Sequence, residues 1–231
     1  MDRIQFEDAL QAYENRFNSM EPELELTVRD PELGVEGWVV VWSTLSCKDG
    51  PLGRVGKGGT RIHSDMSMDE LRMLARTQTL KNAAAAIGTG GAKSGMKDDP
   101  NSEGFEQRYR RFARLVAPIL HENGGPWGGF GYDIGAHPDH CLWCCDELDS
   151  TRCFTGKPVH MGGTDYDVEG IAGLGVAVAA RTMLEETGRS PSSATIAVQG
   201  VGAMGAAVCR YATEYGMTVR YIADPRLGGC W

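Results

Sequence analysis

Gly56-Lys57-Gly58-Gly59-Thr60-Arg61, then Thr79-Leu80-Lys81-Asn82-Ala83-Ala84, then Gly90-Gly91-Ala92-Lys93-Ser94-Gly95: from 56 to 95, three blocks set Lys57, Lys81 and Lys93 among seven glycines. Glycine lets backbone come close to a ligand that side chains would hold away. A core would use other residues, so the composition is that of a site. A lysine enclosed by glycines and by two further cations holds its proton less tightly, because like charge and desolvation both disfavour the ammonium form. Such a lysine can work as a general base near neutral pH. A single lysine on a helix is usually a snorkelling surface residue. Lys81, bracketed by the two glycine-rich blocks, reads instead as a ligand-site residue that shares the buried side of its helix with Leu74.

In order and spacing the three blocks resemble the substrate-domain motifs of the glutamate/leucine/phenylalanine/valine dehydrogenase family, and the Lys57 position is similar to the glutamate branch. The resemblance implies oxidative deamination of an L-amino acid to its 2-oxo acid, with NAD as cofactor and NADP left open. Lys81 would hold the α-carboxylate and Lys57 the side-chain carboxylate, with Gly91 beside them. Lys93 would polarise the carbonyl or imine and activate water. Asp133 would be its proton-transfer partner, since the family carries an aspartate, an aliphatic residue and a glycine where this chain has Asp133-Ile134-Gly135. Gly129-Phe130-Gly131-Tyr132 departs from the family's proline- and alanine-containing approach to that aspartate. Read without the resemblance, an aspartate in a glycine-rich loop is turn chemistry, although this loop is longer and more aromatic than a turn requires.

Composition narrows the ligand. The chain of 231 residues is 42% hydrophobic with a formal charge of −8, enough apolar material for one large domain or two modest ones. An acidic balance argues against a nucleic-acid or anionic-membrane partner, either of which wants a basic face. No apolar run approaches the ~20 residues of a membrane span, and the first residues lack an apolar signal core, which predicts a cytoplasmic protein. Seven cysteines in mostly helical surroundings fit reduced thiols. His137, His140, Cys141, Cys144, Cys145 and Cys153 make one cluster without the paired Cys-x-x-Cys units of zinc sites. Cys141, Cys144 and Cys145 stand at i, i+3 and i+4, one face of a helix starting near Pro138, so they are expected to be buried thiols, with no metal.

Along the chain, an amphipathic helix over 4–20 serves packing or subunit contact, and 24–28 and 37–43 read as strands. Ser67 and Glu70 form a capping box that opens a helix running to about Ala86. Another helix, about 106–122, carries arginines on a solvated face over Phe112, Leu115 and Leu120. Thr155-Gly156-Lys157-Pro158 marks a hinge. A long helix over 168–186 then has glycines at 170, 173 and 175 that suit packing on a sheet.

Ala194-Thr195-Ile196-Ala197-Val198-Gln199 is a buried-strand pattern leading into Gly200-Val201-Gly202-Ala203-Met204-Gly205. A helix over 203–215 and a strand over 218–223 follow, and from Gly205 to Asp224 is nineteen residues. That spacing suits an acid accepting ribose hydroxyls, with the pyrophosphate on the Ala203, Met204 and Gly205 amides. Asp224 favours NAD; Arg226 leaves NADP open. In family terms Thr164 joins the cofactor residues, and Ala172 stands where relatives usually carry a threonine. The sequence ends seven residues after Asp224, so it holds one of the two halves of a dinucleotide module. The expected fold is α/β: a substrate-binding, dimerisation domain over 1–157 with a mixed sheet flanked by helices, then a partial Rossmann-like parallel sheet over 158–231. A homo-oligomer is expected, with a second chain completing the Rossmann part as an added option. The rival expectation is a catalytically weak or idle relative used for binding or assembly.

Overall fold

Trp38-Val39-Val40-Val41-Trp42 has no polar residue to turn toward water. In the computed structural model, which describes residues 2–50 and 52–230, every one of the five is buried. Leu24–Asp30 (β1) and Val35–Ser43 (β2) form an antiparallel hairpin with Leu24 opposite Val41 and Asp30 opposite Val35. Two short strands follow, Gly56–Lys57 (β3) and Thr60–His63 (β4), and then Gly90–Lys97 (β5). β5 runs antiparallel to β2, Lys93 opposite Val40, and on its other side it pairs in parallel with β3 and then β4. The block around Lys93, which reads as a glycine-rich loop, is therefore the central strand of a mixed sheet.

Helices cover this sheet. Arg3–Asn18 (α1) is capped by Asp2, whose side chain accepts from the Gln5 amide, and it buries none of its residues fully. Ile4, Phe6, Leu10 and Tyr13 stay exposed, while Phe17 packs toward Trp38, Val40 and Trp42. Met68–Ala84 (α2) buries Leu71, Ala75, Thr79 and Asn82 on the sheet. Glycines at 91 and 95 make room for it: a Cβ on Gly91 would lie 2.0 Å from the Thr79 hydroxyl, and one on Gly95 would lie 3.0 Å from Met66. Because strand side chains alternate, Lys93 points to that same α2 face between the two glycines. Phe105–Val116 (α3) covers the opposite face, where a Cβ on Gly37 would strike the Phe112 ring. It ends earlier than expected because Pro118 follows, and short 3₁₀ turns carry the chain to Asn123. Pro138–Glu147 (α4) then packs on α3.

The chain divides after Lys157 into a second compact unit. Here the expected single helix over 168–186 is two, Tyr166–Glu169 (α5) and Ile171–Glu186 (α6), broken where Gly170 takes φ +67°. Thr195–Gln199 (β6), Ala203–Glu214 (α7) and Thr218–Asp224 (β7) follow, with β6 and β7 parallel and Gly229–Cys230 (β8) antiparallel to β7. Gly173 packs on a helix rather than on a sheet, since a Cβ there would come 2.5 Å from Ala207 on α7. No residue of β6 is fully buried, contrary to its apolar pattern. Among the described residues no helix is long and apolar enough to cross a membrane.

Candidate functional site

Asp133 reaches the sheet because the stretch from Pro126 to Ile134 runs alongside β3 and β4. The Gly56 amide donates to the Pro126 carbonyl at 2.9 Å, the Thr60 amide to Gly131 at 2.8 Å and the Ile62 amide to Ile134 at 2.9 Å. The aromatic content of this stretch is structural: Trp127 and Phe130 are fully buried, with the Phe130 ring edge-on to Phe112. Gly59 is needed where the two stretches meet, since a Cβ there would stand 2.2 Å from the Tyr132 carbonyl. The carboxylate of Asp133 then meets the ammonium of Lys93 in a direct ion pair. Its other oxygen accepts from the Ile134 amide at 2.8 Å and from Arg61 at 3.2 Å.

Burial lowers the affinity of Lys93 for its proton, and the charges of Arg61 and Lys81 add to that; the Asp133 carboxylate opposes them without cancelling the effect. Burial alone would raise the Asp133 carboxyl, but the hydrogen bond and charge of Lys93 hold it below the usual range. The pair is thus an ionised carboxylate beside a lysine whose proton is loosened, which suits proton transfer.

Lys57 sits differently from its expectation. An ammonium awaiting a ligand anion would need an anionic partner, yet this one donates to the carbonyls of Gly58, Gly129 and Phe130 at 3.1, 2.9 and 2.7 Å. Burial, followed by the charge of Lys93, pushes Lys57 down to about 7. The three carbonyls work the other way, since only the protonated form has three N–H groups to give them. Lys81 is exposed on the flank of α2 rather than on its buried side, and its charge reaches Lys93. Gly91 is buried, and the approach of Thr79 accounts for the missing side chain. A cavity of about 750 Å³ between α1 and α2, lined by Phe17, Met20, Leu45 and Leu80, contains none of Lys57, Lys93 or Asp133.

In the second unit Gly200 takes φ +81°, a turn conformation that favours glycine, and a Cβ on Gly205 would lie 1.8 Å from the Gly200 carbonyl. Only glycine therefore fits where the turn after the strand meets the start of the helix. At Gly202 the nearest atom to an added Cβ is Arg226 at 3.9 Å, so the backbone there is open to approach. No side chain caps α7, whose first residues Ala203 and Met204 are exposed. Asp224 accepts from the Val201 amide at 2.7 Å and from the Arg226 amide and guanidinium at 2.9 and 3.1 Å. The Arg226 hydrogen bond above all keeps that carboxyl strongly acidic. Thr164 is exposed near the start of the same unit.

Residues 24–150 match the Glu/Leu/Phe/Val dehydrogenase dimerisation domain, and residues 162–227 match the glutamate/leucine/phenylalanine/valine dehydrogenase domain. The chain belongs to this family. Over 218 residues it is 31% identical to the glutamate dehydrogenase of Thermotoga maritima, which covers 90% of this chain and 51% of that protein. It is 32% identical over 182 residues to the NADP(+)-dependent glutamate dehydrogenase of Pyrobaculum calidifontis, covering 74% of this chain and 42% of the other. Among solved structures, glutamate dehydrogenase from Peptoniphilus asaccharolyticus superposes with a TM-score of 0.73 at 28% identity, over 91% of this chain and 55% of that one. A hetero-hexameric glutamate dehydrogenase from Thermus thermophilus gives 0.71 at 25% identity, over 96% and 57%. The chain spans about half the length of the curated relatives it matches.

Within the dehydrogenase frame, three residues matter that the motifs alone did not single out. Asn82 donates to the carbonyls of Lys57 and Gly90 at 3.0 and 2.7 Å, so it ties β3 to the start of β5 from α2. Arg61 touches Asp133, and Glu70 holds Arg61 at 3.1 Å. Ser67 caps α2 as expected, but Glu70 does not complete a capping box: its carboxylate is taken by Arg61 and by His63 at 3.1 Å. The signal was present in Thr60-Arg61-Ile62-His63, where strand alternation puts Arg61 and His63 on one face. The cysteines pack as expected. Cys141, Cys144, Cys145 and Cys153 are buried free thiols, with 3.6 Å between the sulfurs of Cys144 and Cys153. His140 lies among Phe105, Tyr109 and Trp143, and burial drops it to about 4.

Proposed function

We propose that this chain carries out NAD(P)-linked oxidative deamination of an L-amino acid, glutamate first among them, to the 2-oxo acid and ammonia, the reaction running in reverse as reductive amination. The observation that supports it most is the buried Lys93–Asp133 pair, set in a chain of this family. Lys81, exposed and cationic, takes the substrate α-carboxylate. Lys93 gives up its loosened proton readily, polarises the carbonyl or imine in its protonated form, and in its neutral form accepts a proton from the attacking water. Asp133, kept ionised, relays the proton to or from the amino nitrogen. Lys57 recognises the side-chain carboxylate by exchanging carbonyl partners for it, a smaller gain than filling an empty site would give.

The glycine turn at Gly200, the open backbone at Gly202 and the uncapped start of α7 fit a dinucleotide pyrophosphate. Gly200, Gly202, Ala203, Met204 and Gly205 would hold it, with Asp224 beside them through the Val201 amide and Thr164 assigned to the cofactor by family position alone; once bound, NAD(P) supplies a nicotinamide that accepts hydride. Arg226, beside Gly202, offers a cation to a 2′-phosphate, so NADP stands with NAD. The exposed apolar side of α1 supports a homo-oligomer.

Dinucleotide reduction by the purified chain, measured with NAD+ and with NADP+ over a panel of amino acids, tests the proposal. Turnover with glutamate is expected; none with any amino acid refutes it. A second reading, binding or assembly without turnover, has one observation behind it: the uncovered β6, which suits association with a further chain that completes the sheet. Substrate binding by calorimetry without dinucleotide reduction would select it.

A further inference from the structure

Resting on the dehydrogenase reading, we propose that Arg61 is a positioning residue for Asp133, anchored from behind by Glu70. The guanidinium stands between two carboxylates. One terminal nitrogen donates to Glu70 at 3.1 Å and the other to Asp133 at 3.2 Å. Arg61 and Asp133 are mostly enclosed, with side chains 17% and 13% exposed, so the contact is shielded from water. A planar fork with fixed donor directions can bridge two carboxylates in this way, and an ammonium cannot. The remaining Nε of Arg61 is buried and has no partner among the described residues.

The anchor is built from separate elements. Arg61 lies on β4, whose position is fixed by pairing with β5, Ile62 opposite Met96. Glu70 lies in the first turn of α2, held by the Ser67 cap, and its carboxylate is further fixed by His63. Asp133 comes from a third stretch, and among the described residues its carboxylate has Lys93 as its other side-chain partner. Without Arg61 its Oδ1 keeps just the Ile134 amide, which belongs to the next residue and moves with it. The fork thus stops Asp133 turning away from Lys93.

Competitive acetylation with acetic anhydride across a pH series, read by peptide mass spectrometry, reports the proton affinity of Lys93 without any need for turnover. Glu70→Gln leaves every charge that touches Lys93 in place and weakens only the anchor. Arg61→Lys keeps the cation but cannot span both carboxylates. In each variant Asp133 should drift from Lys93, and the Lys93 midpoint should fall by about one pH unit. Where the chain turns over glutamate, kcat should fall about tenfold with KM changed less than about twofold. A Lys93 midpoint that does not move in either folded variant overturns the proposal. So does a rise in KM at constant kcat, which would make Arg61 a substrate-binding residue. Absence of turnover in the unmodified chain would sink the dehydrogenase reading instead, and the acetylation midpoint would still decide the role of Arg61.

Discussion

β2 and β6 both read as apolar strands, yet seven consecutive residues of β2, from Gly37 to Ser43, are buried while β6 buries none. The difference lies in what surrounds them. β2 has a strand on each side, α2 on one face and α3 on the other. β6 pairs only with β7 among the described residues, and its small core of Ala194, Ala212 and Met217 lies toward the helices. Apolar sequence states a capacity for burial, and neighbours decide whether it is used. The proposed chemistry follows the same division, since Lys93 and Asp133 depend on low solvent exposure and lie in the well-covered unit.

The largest expected effect breaks that link. Lys93→Ala should abolish dinucleotide reduction while circular dichroism stays unchanged, and Asp133→Asn should lower turnover by the ~10² to ~10⁴-fold typical of losing a general acid or base. A loss confined to KM would make Asp133 a binding residue. Next, Leu71→Ala, at a fully buried site under the first sheet, should destabilise by about 2–5 kcal/mol in denaturant titration, whereas Ile196→Ala on half-buried β6 should cost about 1 kcal/mol. Equal effects would show that β6 is covered in solution by something further.

Gly205→Ala should destabilise the second unit by about 1–3 kcal/mol, because its methyl meets the Gly200 carbonyl, and should abolish dinucleotide binding in calorimetry. The smallest effect concerns acid. Asp133 has a folded-state pKa below its unfolded value, so its contribution is fully present above about pH 4 and is lost as pH falls through the folded pKa. Asp133→Asn should therefore flatten the acid limb of the stability curve; an unchanged limb would mean that other carboxylates carry it.

Much of the first unit was legible because its signals were local. The Trp38 to Trp42 run, the Ser67 cap and the cysteine face of α4 each needed only spacing to be read. Gly90-Gly91-Ala92-Lys93-Ser94-Gly95 was legible as a site and illegible as a strand, because glycine has poor strand propensity and only the partners β2, β3 and β4 make it one. The role of Glu70 was hidden by a competing local rule: its place three residues after Ser67 suggests a capping box, and Arg61 and His63 outbid the backbone amide for its carboxylate. The aromatic content of the loop before Asp133 exceeds what a turn requires because Phe130 packs against the α3 rings of Tyr109 and Phe112, and Trp127 packs edge-on against Phe130. The three carbonyls around Lys57 come from two distant parts of the chain, and no spacing rule foretells them.

The four thiols gathered around Cys144 give the molecule a built-in clock for its own opening. Cys141, Cys144, Cys145 and Cys153 are shielded together in the first unit, while Cys209 sits half-buried on α7 in the second. A bulky disulfide reagent added to the folded chain should react with the half-buried Cys47 and Cys209 first and reach the quartet in one concerted phase when the first unit lets go. The delay between the two phases, followed by absorbance, measures how long the packing around the quartet stays closed after the half-buried thiols have reacted.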